Sequence, residues 1–267
     1  RNPDVLDVWV DAGAASWLCL DYPVRTGLFD RFFPADFILE GKDQIRGWFN
    51  LLFVASMMSM NRPSFKAVYM HGFINDSMGR KMSKSFGNVI SPYEIIEKYG
   101  VDTLRYYMIS AANPGVDMNY NFDDMKIKNK NLVILWNLHK YLIDACETEK
   151  INPVKIDADK LILDIEERYM LSKLNLTIKK LTHAFDEYMV NETPIIVEDL
   201  FLELSRTYIQ IVREKLALGD DSKKEAVIYI AYKVLLETLK MFSTTAPFIS
   251  EKMYQNLKSA FTLENEA

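Results

Sequence analysis

The chain has 267 residues, 49% hydrophobic and 26% charged, which is ordinary globular usage and excludes disorder, collagen and coiled coil. The length suffices for one large core or two smaller ones. A net charge of −5, with 12 Lys+Arg against 13 Asp+Glu up to residue 122 and 20 against 24 beyond it, argues against a general nucleic-acid coat but allows a local basic stripe.

No apolar run of about 18 residues is present, so no membrane span is expected. The opening RNPDVLDVWVDAG lacks the basic start and apolar stretch of a signal peptide. Cys19 and Cys146 lie far apart and form neither a disulfide framework nor a CxxC pattern. A cytoplasmic protein without a metal site is the expectation.

Residues 4–10 (DVLDVWV) alternate and are rich in β-branched side chains, which predicts a strand. Residues 36–40 (DFILE) predict a second strand, ending at Gly41. Ile45, Trp48, Phe49, Leu52, Phe53 and Met57 follow at helical spacing, and Asn61-Arg62-Pro63 ends that helix. Residues 66–70 (KAVYM) predict a third strand. Strand, helix and strand make a βαβ unit, whose ligands bind beyond the carboxyl ends of the strands. That puts Glu40 to Gln44 and the segment after Met70 on one rim.

Ser91-Pro92-Tyr93-Glu94 reads as a capping box with proline at the first helical position, and Gly100 as the stop of that helix. Asp102 is placed to cap the next helix, which Asn113-Pro114-Gly115 breaks. Asp123-Asp124 starts a long helix with Leu132, Leu135, Leu138 and Leu142. Further stripes are Leu174, Ile178, Leu181, Phe185 and Tyr188; Leu200, Leu204, Ile211 and Leu218; and Ile228, Tyr232, Leu235 and Leu239. Leucines so spaced are most simply the core of a helical bundle. The expected division is 1–122, an α/β part, and 123–267, all helical.

Gly79-Arg80-Lys81-Met82-Ser83-Lys84-Ser85-Phe86-Gly87-Asn88 stands out. Lys-rich loops are usually only solvated. Two lysines three apart with Arg80 beside them can instead meet one polyanion, and the flanking glycines let the loop move. Cations aimed at charge that develops late in a reaction lower a barrier more than they tighten binding. No GxxxxGK[ST] phosphate loop occurs.

Lys81-Met82-Ser83-Lys84-Ser85 is identical to the KMSKS signature of class I aminoacyl-tRNA synthetases, and GRKMSKSFGN resembles its wider form. Asp4 to Gly13 resembles the DVxDVWFDSG segment, with Val10 and Ala12 in place of the common Phe and Ser. Leu39 to Phe49 resembles the EGxDQxRGWF block typical of the isoleucyl branch. Tyr99 to Arg105 is similar to the usual sequel of the signature loop. Ser205 to Ile209 and Ala246 to Glu251 resemble landmarks of the helical anticodon domain. The likeness thus spans nearly the whole chain.

The resemblance implies the second half of a Rossmann-like nucleotide-binding fold with its KMSKS loop, followed by a helical-bundle anticodon-binding domain. It implies activation of isoleucine by ATP, with Mg2+ accompanying the substrate, and transfer to tRNA(Ile), in a monomeric parent. Glu40 would hold the adenylate, supported by Gly41, Asp43 and Gln44. Lys84 would meet ATP, with Lys81 assisting. Trp9 and Trp48 would wall the amino-acid pocket. A valyl or leucyl sibling, and a non-catalytic RNA-binding module, are the alternatives. The family's HIGH-type motif and editing insertion do not occur in the sequence, so a piece that is inactive alone is expected.

The residues also carry plainer readings. Glu40 or Asp43 can cap a helix, Trp9 and Trp48 can be packing, Arg46 a salt-bridge partner and His71 a structural histidine. His139 and His183 sit in leucine-rich helices and receive no role. Arg206 and Arg213, seven apart and so on one helical face, and Lys126, Lys128 and Lys130 are candidate tRNA contacts. Lys223-Lys224 reads as a turn between helices.

Overall fold

The computed structural model describes residues 8–261. The chain forms two compact units, one of residues 1–81 with 112–119, the other of 82–111 with 120–267.

The first unit opens on helix α1 (Val8–Leu18). The strand expected over 4–10 is therefore not formed by Val8, Trp9 and Val10, and its residues 4–7 lie outside the described ones. Ala12, Ala14 and Ala15 favour helix and outweigh the short alternation before them. Helix α2 (Gly27–Phe32) leads into β1 (Ala35–Gly41). The expected crossover helix is α3 (Trp48–Met60), followed by β2 (Phe65–His71). Asn61 ends α3 in the left-handed region, φ 54°. Gly13 lets α1 approach α3, since a Cβ there would stand 3.3 Å from that of Leu51.

Strands β1 and β2 pair in parallel, from Ala35 opposite Phe65 to Gly41 opposite His71. Ile38, Phe49 and Leu52 are buried between strand and crossover helix. Trp17, Phe29 and Phe33 form a second cluster, with the Arg62 guanidinium over the two phenylalanine rings at 5.3 and 4.8 Å. A short strand β3 (Ile74–Asn75) pairs in parallel with β4 (Met118–Asn119). Gly72 precedes it at a close approach, where a Cβ would stand 2.1 Å from the Val116 carbonyl oxygen.

The second unit is helical: α4 (Pro92–Tyr99), α5 (Val101–Ala111), α6 (Phe122–Glu149), α7 (Ile165–Asp186), α8 (Thr193–Glu203), α9 (Ile209–Leu218), α10 (Asp221–Phe242) and α11 (Pro247–Phe261). Its core runs through Tyr106, Leu135, Met170, Leu174, Leu200, Phe201, Leu235 and Phe242. The expected capping box at α4 is not made, for the Ser91 side chain caps nothing. Pro92 has already removed one orphan N–H there.

Asp102 does not cap α5 but lies in its first turn. Its Oδ2 accepts the Ile249 N–H at 2.6 Å, at the start of α11. Burial raises the pKa of this carboxyl, while the N–H groups of Ile249 and Phe248 act to lower it. One turn on, Arg105 donates from Nε to the Thr245 carbonyl at 3.0 Å and from Nη2 to that of Thr244 at 3.1 Å. Buried His139 donates or accepts at both ring nitrogens, to the Trp136 carbonyl and, at 3.1 Å, to the Asn256 amide. The carbonyl requires Nδ1–H, so Nε2 accepts from the amide, and burial lowers the ring's pKa.

The third leucine stripe does not form one regular helix. A π-helical turn, Leu204–Tyr208, joins α8 to α9 and adds a residue to that turn. Leu200 and Leu204 are buried, yet Ile211 and Leu218 are 55% and 81% exposed, and Val212 takes the inward place. Tyr188 likewise falls outside α7, at φ 56°. Lys223 and Lys224 belong to the first turn of α10, not to a connecting turn. Lys224 pairs with Glu149 at 2.7 Å.

The start of α7 shows how a lysine can be drawn inside. Asp164 and Glu167 form a capping box. Lys215 Nζ lies 2.9, 2.9 and 3.1 Å from the carboxylates of Asp164, Glu166 and Glu167, and Glu167 is 1% exposed. The bonds to Lys215 lower the carboxyl pKa values of Asp164 and Glu166 from their usual 3.8 and 4.5. Depressed carboxyls add stability above their unfolded pKa values, and that stability is lost as the pH falls through the folded ones. Lys215→Ala should cost about 2–3 kcal/mol in urea unfolding at pH 7, since it strands the buried Glu167 carboxylate beside two others. It should also flatten the acid limb of the stability curve below about pH 4.5; an unchanged limb would contradict this account.

Candidate active site and signature loop

The first candidate region is the carboxyl end of β1. Glu40 is exposed there, and its Oε2 accepts the Gly41 N–H at 3.3 Å. A 3-10 turn, Lys42–Ile45, follows. In it Gln44 donates from Nε2 to Asp43 at 2.9 Å, and its Oε1 accepts the Trp48 N–H at 3.0 Å. Gln44, neither Glu40 nor Asp43, is thus the residue that caps α3. Two glycines make room for this arrangement. A Cβ on Gly41 would stand 2.5 Å from Asp43 Oδ1, and one on Gly47 2.7 Å from Gln44 Oε1.

The structure therefore brings Glu40, Gly41, Asp43 and Gln44 together on one rim, with His71 across the ladder from Gly41. His71 Nδ1 lies 2.9 Å from its neighbour's Gly72 carbonyl. Trp48 is half-buried and donates from Nε1 to the Ala12 carbonyl at 2.9 Å, which ties it to α1. Trp9, 44% exposed, lies one turn earlier on that helix. Lys42, on the same rim, pairs with Asp117 at 2.7 Å, and Asp117 also accepts the Phe73 N–H at 2.7 Å. These bonds, that of Lys42 foremost, hold the Asp117 carboxyl below its usual range.

The signature segment divides between the units. Residues 76–81 belong to the first. Asp76 is buried and bonded to the loop that follows, and Lys81 bridges to Asn75 in antiparallel fashion. The sequence signal for that turn was Asp76 followed three residues later by Gly79, an Asx-turn pattern. Residues 82–90 belong to the second unit. There the Asn88 side-chain oxygen accepts the Ser83 N–H at 2.9 Å, and Ser83 Oγ accepts the Phe86 N–H at 3.3 Å. A single 3-10 turn, Lys84–Phe86, closes on Gly87 at φ 65°. Lys84 is exposed and has no ion-pair partner among the described residues.

The candidate tRNA contacts differ among themselves. Arg206 is exposed within the π turn and Arg213 is exposed on α9, so their spacing spans that turn rather than regular helix. Arg213 lines a cavity of about 280 Å³ with Tyr141, Asp144 and Glu149. Lys126 is exposed but pairs with Asp123 at 2.8 Å; Lys130 is exposed. Lys128 does not join them, being 16% exposed and paired with Glu198 at 2.6 Å, with its ammonium 4.7 Å from the Tyr106 ring centroid.

Residues 1–121 match the family of class I tRNA synthetases (I, L, M and V), and residues 167–267 match the anticodon-binding domain of tRNA ligase. The chain therefore carries a class I tRNA synthetase domain and an anticodon-binding domain. It is 39% identical over 261 residues to the isoleucine–tRNA ligase of Methanosarcina barkeri, covering 96% of this chain and 25% of that protein. With the isoleucine–tRNA ligase of Thermococcus kodakarensis the identity is 36% over 263 residues, covering 98% and 25%. The chain thus spans about a quarter of the length of the curated relatives it matches.

Among solved structures, methionyl-tRNA synthetase of Mycobacterium tuberculosis in complex with methionyl-adenylate superposes with a TM-score of 0.78 at 21% identity, over 92% of this chain and 49% of that one. The ternary complex of Agrobacterium radiobacter K84 LeuRS with tRNA and LeuAMS gives 0.75 at 21%, over 99% and 32%. The synthetase fold is therefore as expected, a Rossmann-like part followed by a helical region. Among the described residues no helix is long and apolar enough to cross a membrane.

Within this synthetase signature loop, Asn88 can be tested directly. Asn88→Ala removes a hydrogen bond of about 1 kcal/mol, which should raise the open population and the rate of tryptic cleavage after Lys84 about fivefold. An unchanged cleavage rate would show that Asn88 does not restrain the loop.

Proposed function

We propose that the chain supplies the signature-loop part of the catalytic domain (1–122) and the anticodon-binding part (123–267) of a cytoplasmic, monomeric isoleucine–tRNA ligase. The observation that carries the reading is the pair of parallel strands that stop together at Gly41 and His71, with Glu40, Asp43 and Gln44 on that rim. Ligands of such sheets sit beyond the carboxyl ends of the strands. The relatives named for isoleucine support the choice of amino acid.

In this reading an isoleucine carboxylate oxygen attacks the α-phosphorus of ATP, which enters with its Mg2+. The bond to the β-phosphate bridging oxygen breaks, pyrophosphate leaves, and isoleucyl-adenylate remains. Negative charge builds on the departing diphosphate, and Lys84, with Lys81, stabilises it there. A fixed ammonium acts most strongly where charge develops. Glu40 accepts hydrogen bonds from the adenylate, while the Gly41 backbone and the Asp43–Gln44 pair shape the rim around it. Trp9 and Trp48 offer rigid apolar walls to a branched alkyl side chain. A terminal ribose hydroxyl of tRNA(Ile) then attacks the carbonyl carbon and AMP leaves. Arg206, Arg213, Lys126 and Lys130 meet tRNA phosphates. The acidic trio Asp164, Glu166 and Glu167 holds the Lys215 ammonium.

The test is a graft of this chain in place of the matching quarter of the Methanosarcina barkeri ligase. The graft should catalyse isoleucine-dependent ATP–pyrophosphate exchange, and Lys84→Ala should lower it by about 10²–10³, the scale of losing one transition-state charge donor. Exchange within a few-fold of the unsubstituted graft would reject the role of Lys84. Exchange that depends on valine or leucine instead would move the chain to a sibling enzyme. Binding of tRNA with no exchange at all would favour a non-catalytic module. In the same graft, Arg206→Ala and Arg213→Ala should each reduce the salt dependence of tRNA binding by about one phosphate contact. Unchanged salt slopes would remove both residues from the interface.

A further inference from the structure

Asp76 stands at the root of the signature loop and is 5% exposed. A carboxylate so far from water persists only when donors surround it. Three of its donors come from the next four residues. Oδ1 accepts the N–H groups of Met78 at 3.0 Å and Arg80 at 2.9 Å, and Oδ2 accepts Arg80 Nε–H at 2.9 Å. The backbone closes the same turn: Asp76 N–H donates to the Arg80 carbonyl at 2.9 Å, and Gly79 N–H to that of Asp76 at 3.0 Å.

Gly79 sits at φ 77°, a conformation that a side chain would strain. Immediately outside this turn Asn75 and Lys81 form their bridge. The direction in which the chain leaves the turn is the direction in which it carries Lys81. One side chain therefore sets the path of the backbone into Lys81, and its bond to the Arg80 guanidinium is charge-assisted, a kind that runs stronger than neutral ones.

We infer that Asp76 is a positioning residue for adenylate formation: it touches no substrate, and it fixes the turn that presents Lys81. The inference rests on the proposed reading, in which the loop lysines meet the triphosphate. Misplacing a reacting group by about 1 Å can cost 10²-fold in rate. The isoleucine side of the reaction does not involve this turn, so the two substrates should respond differently.

In the grafted ligase, Asp76→Ala should lower kcat of isoleucine-dependent exchange by about 10–100-fold, with KM for isoleucine within about twofold. Asp76→Asn keeps an oxygen for the two backbone N–H groups and loses the ionic bond to Arg80. It should recover most of the rate, to within about fivefold of the unsubstituted graft, because the two backbone N–H groups that close the turn keep their acceptor. Thermal melts of the same preparations, assayed well below their midpoints, correct for the folded fraction. The inference is overturned if Asp76→Ala keeps kcat within twofold, if Asp76→Asn is as slow as Asp76→Ala, or if the loss merely follows the folded fraction. An unsubstituted graft with no exchange would instead overturn the functional reading, and this inference with it; an active graft indifferent to Asp76→Ala sinks the inference alone.

Discussion

The parallel register of β1 and β2 decides where the candidate rim stands, because both strands stop at the same level. Side chains alternate along a strand, so a slip of one residue would turn Ile38 outward and bring Phe37 or Leu39 in. Ile38 is instead locked against Phe49 and Leu52 of the crossover helix. That apolar contact fixes the pairing of Glu40 with Met70 and of Gly41 with His71. Three glycines then follow from geometry. At 41, 47 and 72 the space of a Cβ is already taken by Asp43, Gln44 and the Val116 carbonyl. The rim is tight because its polar groups crowd onto the backbone that bears them.

The helical unit solves a different problem. Its apolar stripes supply the packing energy, but each helix end leaves N–H or C=O groups unpaired. Several are satisfied by side chains far away in sequence. Asp102 presents a carboxylate to the positive start of α11, and Arg105 presents a cation to the carbonyls between α10 and α11. Both signs agree with the helix dipole. The acidic start of α7 likewise takes its cation from Lys215 on α9. These ties select one arrangement of helices that apolar contact alone would leave less specified.

Where the sequence could be read, the signals were local. The crossover unit announced itself through β-branched runs bracketing a helical stripe, and Gly100 ended α4 as its position suggested. The signature loop was legible because its letters are specific. What escaped was decided by partners distant along the chain. Asp102 looks like a cap for its own helix, and nothing nearby in sequence reveals Ile249 as its partner. The π turn at Leu204–Tyr208 has no compositional mark, yet it shifted a whole leucine stripe by one residue. Over Val8–Val10 the converse holds: the alanines that follow outweigh a short alternation, and the segment is helical. At the rim, the residue types were anticipated, but the bonds among them, with Gln44 as the cap of α3, required coordinates.

The lysines make the same point in electrostatic terms. In sequence, Lys84, Lys128, Lys215 and Lys224 are equivalent charges in a chain whose net charge is −5. Lys128, Lys215 and Lys224 each have a carboxylate within 3 Å and side chains no more than 20% exposed. A cation so placed has spent its hydrogen bonds on the fold, and drawing it out would strand a carboxylate in a poorly solvated place. Lys84 sits in a loop whose polar contacts are made by Ser83, Asn88 and backbone, with no acid beside it in the sequence from Arg80 to Asn88. An acidic surface elsewhere does not quench such a charge, because screening by salt confines its reach to about 8–10 Å. The loop composition therefore leaves Lys84 without an acid beside it, while the acids at Glu149, Glu166 and Glu198 hold the other three in place.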